Sequence, residues 1–186
     1  MPEIDWEDFE TPAEEAVEKD VIPIGKWICV VTASKPKQMD IKTKPNYSCI
    51  GVLLTLEIEQ ALEIDGLKCS GDVGEEFCGS NLYFEIPFYD ESEKPFMKEQ
   101  RSKIAIKLGL VKTGETLLKS HWKNAVGKHV VITTVENKWT DGKTGEVKTG
   151  NPRIDQYNGF AHLDTVYGVS DGHGGESEDT NEYSDI

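Results

Sequence analysis

The clearest regularity in the chain is the alternation of apolar and polar residues from Ile50 to Ile58. Val52, Leu54, Leu56 and Ile58 fall on one side, and Thr55, Glu57 and Glu59 on the other. A period of two predicts a strand with one buried face. Leu82, Phe84, Ile86 and Phe88 alternate in the same way with Tyr83, Glu85 and Tyr89, predicting a second such strand. Trp27–Thr32 and His129–Trp139 are rich in β-branched and aromatic side chains and read as strands by propensity. A last strand is expected over Ile154–Val166, which carries Tyr157, Phe160 and Leu163. The period changes in Phe96–Leu110, where Ile104 and Leu108 share a face, Met97 and Arg101 lie nearby, and lysines flank them. That pattern is one amphipathic helix. Leu117, Leu118, His121 and Trp122 suggest a second short helical stretch that Gly127 stops.

The intervening segments read as connections. Lys35–Asn46 holds two prolines and scattered lysines, residues 65–80 hold four glycines, and Thr140–Pro152 is rich in Gly and Lys. The expected fold is therefore mainly β with one or two helices, in the order β-β-β-α-β-β. This is the element order of a five-stranded OB-type Greek-key barrel. The 186 residues suit one domain over 21–167. Residues 1–20 form an acidic arm. Residues 168–186, mostly Gly, Ser, Asp and Glu, lack the apolar content to offset ordering entropy and read as a disordered tail.

Charge changes the picture. The net charge is −14, which alone would argue against a nucleic-acid partner. It is unevenly spread: residues 1–20 carry −8, residues 164–186 carry −7, and residues 94–163 carry +7. No run approaches the roughly 18 apolar residues of a membrane span. The acidic beginning has no apolar segment of the secretory type, so the expected place is the cytoplasm. Cys29, Cys49, Cys69 and Cys78 form no CxxC pair and are expected as buried free thiols. A zinc site from Cys69, Cys78 and a histidine is the alternative, at nonstandard spacing.

On an OB-type barrel, ligands lie across strands 2 and 3, flanked by the loops joining strands 1–2 and 4–5. The first loop would present Lys35, Lys37, Lys42 and Lys44. The second would present Lys138, Lys143, Lys148 and Arg153. Lysine and arginine bind phosphates without regard to sequence. Tyr47, Tyr83, Tyr89, Trp139 and Tyr157 are the rings on which bases would stack. Trp27, Phe84, Phe88 and Phe160 are expected in the core. The predicted partner is single-stranded DNA, with no cofactor. The acidic tail would compete with DNA or recruit replication and recombination proteins through its Tyr183–Ile186 end.

Several short patterns carry a resemblance. Ile22-Pro23-Ile24-Gly25-Lys26-Trp27, the helix Met97–Leu110 ending in Leu108-Gly109-Leu110, Trp122 with Gly127-Lys128-His129-Val130, and Tyr157-Asn158-Gly159-Phe160 are similar to the phage-encoded single-stranded DNA-binding proteins of OB-fold type. The similarity spans roughly residues 22–166. It implies a role in DNA replication or recombination in the host-cell cytoplasm, coating DNA exposed at a fork or a break. The tail departs from bacterial single-strand binders in lacking a consecutive acid run before a Pro-Phe tip.

The rival readings are an acidic protein-interaction module, or a DNA mimic with a basic protein partner. Enzyme signals are sparse. Gly142-Lys143-Thr144 lacks the earlier glycine of a phosphate-binding loop, since position 137 is Asn137. Asp141, Glu146 and Lys148 resemble a metal-dependent nuclease pattern, but in a turn-rich segment rather than on a rigid strand. His121, His129, His162 and His173 are too scattered for a metal triad.

Overall fold

The computed structural model describes residues 21–40, 48–88 and 95–167, with side chains from Met97 onward in the last stretch. The arm, the tail, Lys42, Lys44, Tyr47 and Tyr89 lie outside these residues. The chain is mainly β: one antiparallel seven-stranded sheet with few helices. Its strands are β1 Gly25–Asp40, β2 Ser48–Ile64, β3 Leu67–Lys68, β4 Asn81–Pro87, β5 His129–Thr140, β6 Val147–Ile154 and β7 Phe160–Ala161. Helix α1, Pro95–Lys107, sits between β4 and β5, and a short α2, Asp164–Tyr167, follows β7. Two 3₁₀ segments cover Glu75–Phe77 and Lys119–Ala125. Among the described residues no helix is long and apolar enough to cross a membrane.

Seven strands replace the five expected, but the pairings show where the extra ones come from. β2 pairs with β1 along one edge, while β4 and β3 share its other edge. β1 pairs with β5, whose far edge is shared by β6 and β7. Both outer positions of the sheet are thus filled by two strands in succession. β3 turns back from β2 through Asp65 and Gly66, both at positive φ (49° and 80°). This is the backbone that a tight two-residue hairpin requires. β6 and β7 are separated by a loop at 155–159. There Asp155 Oδ1 accepts hydrogen bonds from the Tyr157 and Asn158 amides at 2.9 and 3.3 Å. The single strand expected over Ile154–Val166 is broken by this aspartate turn.

The core lies on the face of the sheet that the alternation identifies. Val52, Leu54, Leu56 and Ile58 of β2 are buried with Trp27, Cys29 and Val31 of β1, and with Val130 and Ile132 of β5. Helix α1 closes this side with Ile104 and Ala105, and Leu108 just beyond its end joins them with Trp122 and Ala125 of the second 3₁₀ segment. Trp27 and Phe160 are core residues as expected. Phe84 and Phe88 pack against the core while half-buried. The cysteines divide: Cys29 and Cys49 are buried and Cys69 is half-buried. Cys78 is exposed, contrary to expectation, on the turn after the first 3₁₀ segment. All four are free.

Candidate nucleic-acid interface

Residues directly opposite one another in an antiparallel pair project from the same face, so the register locates each side chain. On the face turned away from the core, Ala33 of β1, Thr55 of β2 and Tyr83 of β4 form one row. Lys35, Leu53 and Glu85 form the next, and Lys37, Gly51 and Pro87 the one after. Lys35 and Lys37 are therefore not loop residues. They lie on β1, one and two rows from Tyr83, which is exposed. Lys37 reaches across β2 to pair with Glu85.

The second basic stretch is likewise sheet rather than loop. Val147–Ile154 is β6, and the turn is reduced to residues 141–146. Asp141 organises that turn. Its Oδ1 accepts from the Lys143 amide at 2.8 Å and the Thr144 amide at 3.4 Å, and its other oxygen pairs with Lys148 Nζ at 2.5 Å. Lys148 first, then the two amides, hold the Asp141 carboxyl below the usual aspartate range. Lys138 pairs with Glu136 on the same face of β5. Trp139 stands opposite Lys148, exposed, with its ring over Gly150: a Cβ at Gly150 would come within 3.0 Å of it. The absence of a side chain there lets the indole lie along the hairpin.

The sheet rolls until its two outer strands face each other. Ser80–Tyr83 and Asn151–Ile154 line opposite sides of a cleft of about 500 Å³, with Val21 and Ile22 at one end. Arg153 stands opposite Val135 and alternates with buried Ile154, so it projects from the outer face. Tyr83 and Arg153, far apart in sequence, thus border one cleft. Tyr157, expected on a strand, is exposed in the loop at 155–159.

Of the described candidates, then, Lys35, Lys37 and Tyr83 share one sheet face, and Arg153 borders the same cleft as Tyr83. Lys138 projects from the hairpin face opposite Trp139 and Lys148. Lys37, Lys138 and Lys148 are each paired with an acid. Much of the positive charge of residues 94–163 lies elsewhere, on α1 and the segment after it. Lys98, Lys103, Lys112, Lys119, Lys123 and Lys128 are exposed there. The sequence reading missed Asn81 and Asn151, which line the cleft from its β4 and β6 sides. No pattern in the chain singles out two asparagines 70 positions apart; only the closing of the sheet brings them together.

Among the described residues no group of three His, Cys, Asp or Glu side chains could hold a metal ion. No protein-family model matches the chain, and no curated protein matches it.

Proposed function

We propose that this protein binds single-stranded DNA with little sequence preference, on an OB-type barrel, and coats strands exposed during phage DNA replication or recombination. The pairings are compatible with that topology: β1 contacts both β2 and β5, β4 adds to β2, and β6 adds to β5. On this reading β3 and β7 are additions to the five-stranded plan. The observation that carries the proposal is the shared outer surface. Lys35 from one basic stretch, Arg153 from the other and the exposed ring of Tyr83 border a single cleft and the sheet face beside it. Positive side chains give sequence-independent affinity through counterion release, and each stacked base adds about 1–3 kcal/mol. Lys143 and Trp139 extend the surface along the β5–β6 hairpin.

The test is a fluorescence titration. Trp27 and Trp122 are buried, whereas Trp139 is exposed, so Trp139 is the reporter in the sheet. Oligothymidine should quench it, with affinity falling as salt rises, and Trp139→Phe should lose most of the signal change. Lys35→Glu with Arg153→Glu should weaken binding more than tenfold at low salt, the sum of two lost phosphate contacts. A protein that ignores oligonucleotides in dilute buffer and captures a basic protein instead would establish the DNA-mimic reading.

A further inference from the structure

The cleft between β4 and β6 has a composition that backbone binding does not explain. Its floor is apolar: Leu82 and Ile154 are buried, and Ile22 and Pro152 are half-buried. One charged side chain, Arg153, is in its lining, and the Tyr83 ring lines the opposite side. Asn81 on the β4 side and Asn151 on the β6 side also line it, both exposed, and neither side chain has a hydrogen bond among the described residues. A groove for phosphates would be lined by cations. An apolar floor with an aromatic side chain and two unengaged amides in the lining instead matches a planar heterocycle with donors and acceptors on its edge.

We propose that this cleft takes one unstacked nucleobase, laid against Tyr83 and read at its edge by Asn81 and Asn151, and that the preferred base is a purine. A side-chain amide offers a donor and an acceptor at the spacing of adenine N6 and N7, and the Arg153 fork matches guanine O6 and N7. Purines also present the larger face to Tyr83. The pocket rests on the nucleic-acid reading above and adds to it a single selective position within an otherwise indifferent track.

The experiment compares an all-thymine oligomer about 15 nucleotides long, within the range one such fold covers, with versions carrying one central adenine, guanine or cytosine. A single purine should raise affinity about fivefold to tenfold, and cytosine should not. In the Asn81→Ala/Asn151→Ala double variant, whose substitutions are at exposed positions, the ratio of adenine to thymine affinity should fall most of the way to one, while the guanine preference that Arg153 supplies should persist in part. The side-chain amide resonances of Asn81 and Asn151 should shift on adding the adenine oligomer to the unaltered protein. Equal affinities across the series, or an adenine preference unchanged by the double substitution, would overturn the pocket and leave the non-specific groove standing. Failure of every oligomer to bind would remove the groove and the pocket together.

Discussion

Thr134 is the one polar side chain fully buried among the described residues, and it ties β5 to the stretch from Pro23 to Trp27 that opens β1. Its hydroxyl accepts from the Gly25 amide and from the Trp27 indole N–H, both at 2.9 Å, and donates to the Pro23 carbonyl at 2.8 Å. Thr134→Val keeps the shape but strands two buried donors, so unfolding titrations should register a loss of about 2–4 kcal/mol. A change under 0.5 kcal/mol would mean that water reaches those donors. The two buried tryptophans form a useful contrast. Trp27 donates to Thr134, whereas Trp122 Nε1 is buried with no partner. Removing an indole N–H costs a hydrogen bond only in the first case. Trp27→Phe should therefore destabilise the protein more than Trp122→Phe does, although both leave a similar gap. Cys29 is inert for a related reason. Burial, and then the nearby Glu59 carboxylate, push its thiol well above the ordinary range, so thiol reagents should reach Cys78 while Cys29 stays silent until unfolding. Cys78 itself should react slowly for an exposed cysteine. Desolvation leads, followed by Glu75 and Glu76, in raising its pKa.

At the scale of elements, the β5–β6 hairpin carries Trp139 and Lys143, and its turn depends on one carboxylate. Asp141 has a lowered pKa in the folded protein, so its stabilisation is present above the pKa of an unfolded aspartate. It is lost as pH falls through the lower folded value. The Lys143 and Thr144 amide resonances should titrate with a midpoint below that of a free aspartate. Lys148→Met, which removes the main cause, should move that midpoint upward; an unmoved midpoint would mean that the ion pair is not formed in solution. This hairpin also marks where the sequence ceased to be legible. β2 was readable because Val52, Leu54, Leu56 and Ile58 alternate against a core that α1 and β5 complete. β6, Val147–Ile154, contains Gly150 and Pro152 and shows no alternation. It is a strand because β5 offers it an edge, and its proline sits in an irregularity where three steps of β6 oppose two of β5. Pro36 misled in the same way. Beyond Val30, β1 pairs with β2 alone, so an imino nitrogen on its free edge breaks no ladder. Lys35 and Lys37 thereby belong to a rigid strand. The candidate groove was legible as two sets of lysines and a few rings. The cleft that joins Tyr83 to Arg153 was not, because it depends on how far the sheet rolls.

On the whole-molecule scale, the protein carries −14 and yet is proposed to hold a polyanion. The resolution lies in where the charge resides: residues 21–163 are close to neutral, and the acids concentrate in the two ends. Residues 168–186 contain six acids and no lysine or arginine, attached to the body immediately after α2. A tethered polyanion is present at an effective concentration in the millimolar range regardless of protein dilution, so on the proposed reading it would compete with DNA for Lys35, Lys143 and Arg153. Deleting 168–186 should therefore strengthen oligonucleotide binding severalfold in dilute buffer. Screening shortens the reach of these charges to about 10 Å near 0.1 M salt, so the advantage should shrink as salt rises and the two affinities converge. The truncated protein should also show the steeper dependence of affinity on salt, since DNA then displaces more counterions than it does when the tail already occupies the cations. If the truncated and full-length chains bind alike at every salt, the tail does not visit the groove. The exposed lysines of α1 and of the segment through Lys128 are then the remaining positive surface for those six carboxylates.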